Sequence, residues 1–140
     1  MQNFHYDQSE SMDPSVAKTV ASWLDASTPP NVPTFNPLGL SLTTSIGATI
    51  VGGLTGRSLW DWLYIETLAV NPDFRGLGIG RQLVQRAEKI AVQRDCVGLW
   101  VDTFTFQSPD FYERLGFTIF GQLDQHPGEA SRLFMMKRVQ

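Results

Sequence analysis

The stretch from Leu63 to Arg94 constrains the fold more than any other part of the chain. It opens with Leu63-Tyr64-Ile65-Glu66-Thr67-Leu68-Ala69-Val70, whose β-branched and large apolar residues predict a buried strand. Asn71-Pro72-Asp73 breaks that strand with turn chemistry. Arg75-Gly76-Leu77-Gly78-Ile79-Gly80-Arg81 follows, and beyond it Leu83, Ala87, Ile90 and Ala91 recur at helical spacing. Gln82, Arg86, Lys89 and Gln93 lie off that apolar face, so the segment predicts an amphipathic helix. A glycine at every second position therefore separates a strand from the start of a helix.

Such a loop has a physical use. Glycine permits positive φ and close approach of a ligand to the backbone. The first N–H groups of a helix lack intrahelical partners and lie at the positive end of its dipole. Together they form a cradle for phosphate, with Arg75 and Arg81 adding charge at its rim. The plainer reading is a tight strand-to-helix turn that needs glycine for its shape alone. No Lys-Ser/Thr follows, so this is not a Walker loop, and the spacing differs from G-x-G-x-x-G of dinucleotide-binding folds.

The rest of the chain supports a sheet with helices against it. Asp13-Pro14 supplies a cap and an N1 proline, and Val16, Val20, Trp23 and Leu24 form one stripe, predicting a helix over 14–26. Phe4-His5-Tyr6 is a candidate short first strand, and the proline-rich 27–37 segment a loop. Residues 40–44 and 48–55 predict a hairpin turning at Ser45-Ile46-Gly47, with 56–61 leading into the Leu63 strand. A strand over 97–106 precedes Ser108-Pro109-Asp110, a helix start that Gly116 ends, and strands over 117–123 and 133–139 close the chain. The expected order is β(α)ββ–β–α–β–α–ββ in a single domain spanning 1–140.

Composition excludes several function classes. Hydrophobic residues make up 42% and charged residues 18%, the balance of an ordered globular chain. A net charge of −3 gives no support for a nucleic-acid partner. No apolar run reaches the roughly 18 residues of a membrane span, and no signal-like segment opens the chain, so a cytoplasmic protein with no membrane partner is expected. Cys96 stands alone and only His5 and His126 are present, which argues against disulfides and against a metal site.

Two segments together resemble the signatures of the GNAT superfamily of N-acetyltransferases. Arg75-Gly76-Leu77-Gly78-Ile79-Gly80 is similar to the family's acyl-coenzyme A loop, Arg/Gln-x-x-Gly-x-Gly/Ala. Phe111-Tyr112-Glu113-Arg114-Leu115-Gly116-Phe117 resembles its second signature, a helix bearing Tyr followed by Gly-Phe. The resemblance covers roughly residues 46–139 and implies an α/β (α+β) fold, a mixed, mainly antiparallel sheet flanked by helices. It also implies acetyl-coenzyme A (acetyl-CoA) as co-substrate, a small-molecule or peptide amine as acceptor, and an acetyltransferase activity; a homodimer is compatible with it.

On this resemblance Leu68, Ala69 and Val70 offer backbone groups to the pantetheine arm, and Arg75, Gly76, Gly78, Ile79, Gly80 and Arg81 hold the phosphates. Tyr112 is the candidate general acid at the coenzyme A sulfur, since a phenol is protonated at neutral pH; its alternative role is packing beside Phe111 and Leu115. Glu66 interrupts an apolar strand and is the candidate base for the acceptor amine if it faces a cleft, or else an outward-facing structural carboxylate. Asp102 is a weaker alternative base. Thr105 stands where the family often has Asn, and the N-terminal helical region looks shorter than usual. Cys96 reads as a small buried hydrophobe, which favours direct transfer over an acetyl-cysteine. Two other classes remain: an acyl-CoA sensor without turnover, and a nucleotide-binding module using the same loop.

Overall fold

A computed structural model describes residues 2–140. The chain divides into two compact units, one ending at Thr34 and the other spanning Phe35–Gln140. The first unit carries α1 (Pro14–Ala26). Asp13 caps it, its carboxylate accepting from the Ser15 backbone N–H at 2.9 Å and hydroxyl at 2.7 Å, and these bonds hold the acid below its usual carboxylate range. The Phe4-His5-Tyr6 segment forms no strand, because three half-apolar residues with no neighbouring strand have nothing to pair with.

The second unit is a six-stranded sheet in the order β1-β2-β3-β4-β6-β5. Its strands are β1 (Leu38–Ile46), β2 (Thr49–Leu59), β3 (Trp62–Val70), β4 (Gly98–Phe104), β5 (Thr118–Leu123) and β6 (Arg132–Arg138). Every neighbouring pair is antiparallel except β3 with β4. The helix α2 (Ile79–Gln93) makes that parallel crossover, and α3 (Pro109–Arg114) follows β4. This is the mixed, mainly antiparallel sheet with helices that the sequence predicts. Strand β2 runs on to Leu59 where a connector was expected from Gly56, and the turn falls at Trp60–Asp61, with Trp60 at φ 51°. No helix of the described residues is long and apolar enough to cross a membrane.

Both α2 and α3 pack on one face of the sheet. Leu83, Val84, Ala87 and Ala91 of α2 are buried with Leu54, Leu63, Ile65, Leu99, Val101, Leu133 and Met135 of the strands, and Tyr112 and Phe117 join the same cluster. Each buried leucine stabilises the fold by roughly 1.5–3 kcal/mol relative to exposure. Gly52 leaves room for this packing, since a Cβ there would lie 2.8 Å from Ile79 Cγ2. At the other end of α2, Arg94 donates at 3.0 Å to the Leu38 and Gly39 carbonyls and to Ser58 Oγ, tying the helix to β1 and β2. The sheet face away from the helices holds Tyr64, Trp100, Asp102, Phe104, Arg132 and Phe134, all half-buried.

Candidate active site

Strands β3 and β4 pair only from Trp62 with Gly98 to Ile65 with Val101, yet β3 continues to Val70 and β4 to Phe104. Their C-terminal halves diverge. The cause lies on β3, where Ile65 opposes Gly56 and Thr67 opposes Thr55, leaving Glu66 as an extra, bulged residue. A bulge bends its strand and resets which side chains face the core. Leu63 and Ile65 face the helices before it, Leu68 and Val70 after it, whereas Leu54, Gly56 and Ser58 on β2 keep one phase. The bulge presses the Tyr64 carbonyl onto the place a Cβ of residue 56 would occupy, so residue 56 must be glycine. Residues Thr67 to Val70 stay paired to β2, and their other edge opens into the gap. The predicted backbone trio Leu68, Ala69 and Val70 lies along this open edge.

At the C-terminal end of β3 the chain turns through Pro72–Phe74, held by the Asp73 N–H donating to Asn71 Oδ1 at 2.9 Å. Arg75 Nε reaches back to the Val70 carbonyl at 3.4 Å. Gly76 and Gly78 both have φ 78°, and no atom lies within 4 Å of a Cβ built on either, so backbone conformation is what selects glycine there. Gly78 caps α2, whose first backbone bond from outside the helix is Gln82 N–H to the Gly78 carbonyl at 3.0 Å. The N–H groups of Ile79, Gly80 and Arg81 precede that bond and point out of the helix start. Gly80 has a packing reason as well, since a Cβ there would meet the Phe111 ring at 3.3 Å and Val70 Cγ2 at 3.8 Å. Its missing side chain lets α2, α3 and the end of β3 meet.

That contact brings Tyr112 to the gap. Its ring is buried, edge-on to Phe111 at 5.1 Å and Phe117 at 5.5 Å. Its hydroxyl makes no hydrogen bond among the described residues and is not fully sealed from solvent. Burial first, and the Asp102 charge second, push the phenol up to about 12. A polar groove of about 400 Å³ adjoins, lined by Thr105, Gln107, Ser108, Asp110, Phe111 and Arg114. Gln107 is partly occupied, its Oε1 accepting from the Phe104 N–H at 3.0 Å.

Glu66 sits on the bulge, about half exposed, with Oε2 3.4 Å from Arg57 Nη1 on β2. Its carboxylate is open to water beside Arg57. Asp102 is the first β4 residue past the last pair with β3 and is only 13% exposed. Its Oδ2 accepts from the Tyr64 hydroxyl at 2.8 Å and forms an ion pair with Arg132, whose Nη2 lies 3.0 Å away. Tyr64 is pushed up to about 12 by burial and by this carboxylate. Around the acid, Tyr64 stacks on Trp100 at 4.1 Å, and Arg132 lies over Phe104 and Phe134 at 5.8 and 5.2 Å. Sequence reading passed over Tyr64, Trp100 and Arg132; the alternation Trp100-Asp102-Phe104 was the signal for one face, but its partners came only from strand register.

The model of the Acetyltransferase (GNAT) family matches residues 7–117. A blasticidin-S acetyltransferase of Streptomyces morookaense is 37% identical over 103 residues, covering 71% of this chain and 76% of its own. Among solved structures, an acetyltransferase from Bacillus cereus superposes with TM-score 0.82 at 28% identity, over 94% of this chain and 97% of its own. An aminoglycoside 6′-N-acetyltransferase complexed with coenzyme A shares the fold, with TM-score 0.67 at 20% identity over 91% of this chain and 82% of its own. The family match over most of the chain and the 37% identity over 71% of it agree, and the chain belongs to the GNAT family of acetyltransferases.

Proposed function

We propose that the protein transfers the acetyl group of acetyl-CoA to a primary amine by direct attack, without an acetyl-enzyme. What supports this is the end of β3–β4 pairing at Ile65 and Val101, the unpaired N–H groups that open α2, and a Tyr112 phenol within reach of the Asp102 charge. The diphosphate would rest on the N–H groups of Ile79, Gly80 and Arg81, with Arg75 and Arg81 near it, and Gly76 and Gly78 shaping the loop. The pantetheine arm would run along the open edge of Leu68, Ala69 and Val70, pairing with backbone groups that β4 leaves unmatched and polarising the thioester carbonyl. The family match begins at residue 7 and crosses both units, which supports one domain over 1–140.

In the reaction the amine nitrogen attacks the carbonyl carbon, the C–S bond breaks, and the ammonium proton leaves through Glu66, directly or by way of water. Tyr112 presents its O–H to the departing sulfur. A phenol near 12 against a thiol near 8.5 holds its proton, so the bond acts as a hydrogen bond to growing negative charge more than as full transfer. Buried Cys96, with Sγ 3.7 Å from the Trp60 carbonyl, is no nucleophile. The 37%-identical relative takes its name from an antibiotic, which supports a small-molecule acceptor over a peptide.

Replacing Tyr112 by Phe tests this with an assay of free thiol release. The expected result is a fall in kcat of about 100-fold at nearly constant KM for acetyl-CoA, because the ring and its packing remain. The parent profile should show no alkaline limb from Tyr112 below about pH 12. A variant at parental kcat removes Tyr112 from the chemistry. A parent that binds acetyl-CoA and acetylates no amine is a sensor.

A further inference from the structure

Along the outer face of β4, Trp100, Asp102 and Phe104 occupy alternate positions, an acid between two aromatic rings. Phe106 lies parallel on Phe104, 5.2 Å away and 6° from coplanar, and is 64% exposed, so its second face is bare. Asp102 commits Oδ2 twice, to Tyr64 and Arg132, while Oδ1 accepts no hydrogen bond among the described residues. A hydrogen bond and an ion pair on one oxygen hold the carboxylate in place and leave the other oxygen for a ligand. This row begins where β4 leaves β3, on the face opposite the helix N-terminus. Asp102 is also close enough to Tyr112 for its charge to reach that phenol. A molecule entering from the outer face would meet the acid and the ring platform before it reached the gap.

Resting on acetyl transfer in that gap, we propose that Asp102 is the acceptor-binding residue, and that the acceptor is an ammonium carried within a few bonds of a flat ring. Oδ1 receives the ammonium N–H, and the ring lies on the bare face of Phe106. Tyr64 and Arg132 act as positioning residues, keeping the carboxylate oriented. A hydrogen bond to a charged group and a stacked ring each contribute enough to separate acceptors. Glu66, on the bulge of the neighbouring strand, then handles the proton once the amine is seated. Aliphatic amines without a ring would meet only half of this surface.

Phenethylamine and ethylamine serve as probes, their ammonium groups being alike and only the first carrying a ring. Acetyl-CoA binding is measured by calorimetry on the same samples, so that loss of the cofactor site is seen separately from loss of the acceptor site. The parent should show kcat/KM about tenfold or more higher for phenethylamine. Phe106→Ala, at an exposed site, should erase that preference by lowering kcat/KM for phenethylamine to the ethylamine level. Asp102→Asn should raise KM about 10- to 100-fold for both amines with acetyl-CoA affinity retained. Equal use of the two amines, use of neither by a parent that binds acetyl-CoA, or an unchanged preference in Phe106→Ala overturns the proposal. Unchanged acceptor KM in a folded Asp102→Asn variant does so as well. A parent that does not bind acetyl-CoA overturns the acetyl-transfer reading, and this inference with it.

Discussion

On the readings proposed above, the glycine loop and the outer face of β4 would each hold a polar ligand, by opposite means. The loop offers backbone: positive φ at Gly76 and Gly78, and the free N–H groups that open α2. The outer face offers side chains from three strands, with Tyr64, Asp102 and Arg132 converging on one carboxylate oxygen. A backbone site depends on residues adjacent in sequence, so each glycine is individually hard to replace. A side-chain site depends on register, so it tolerates conservative changes and fails by degrees. The first suits a ligand common to a whole family, the second a ligand particular to one member.

The largest effect expected from breaking the first kind of site is Gly78→Val. Valine at φ 78° is strained and forces the loop out of shape, so coenzyme A affinity should drop on the order of 100-fold by calorimetry. Normal affinity in a folded variant would mean that the loop backbone is no cradle. Gly80→Ala sharpens the contrast, because its Cβ would press on Phe111 and not on open space. It should cost about 1–3 kcal/mol in urea unfolding, a loss of packing that Gly78→Val need not share. The smallest change should come from Arg57. Its ion pair with Glu66 is exposed on both sides, so Arg57→Ala should shift stability by less than about 1 kcal/mol. Glu66→Gln should instead act on rate, lowering kcat most at low pH where the amine is most protonated. A parallel pH–rate profile would move proton removal to water or to Asp102.

The part legible in sequence was the part that is local. Helix α1 runs over the residues its Asp13-Pro14 start and apolar stripe indicate, and α2 buries Leu83, Ala87 and Ala91 as its period requires. Turn chemistry at Asn71-Pro72-Asp73 and at Gly116, with φ 93°, falls where glycine and proline put it. The extra length of β2 was hidden because Gly56 looks like a breaker, and it stays in the strand only because it faces a bulge. Glu66 could not be placed for the same reason: its direction is set by which residue bulges, and that depends on pairing with β2. The Tyr64–Asp102–Arg132 convergence spans separations of 38 and 30 positions along the chain, beyond any periodicity. The packing reason for glycine at position 80 was hidden because the helix a Cβ would touch lies far along the sequence.

The single extra residue at Glu66 has a consequence for how this strand can vary. Strand β3 carries two parities, odd residues inward up to Ile65 and even residues inward from Leu68. Deleting Glu66 would fuse them into one, and Thr67 would then continue the ladder against Thr55 without interruption. Strand β3 would lose the bend that carries it away from β4, and the two could zip together along their full length. The chain would keep its hydrophobic pattern and its sheet order, and would become a more regular protein without the gap in which we place the thioester. Length at this one point, more than the identity of the side chain there, is what keeps the sheet open.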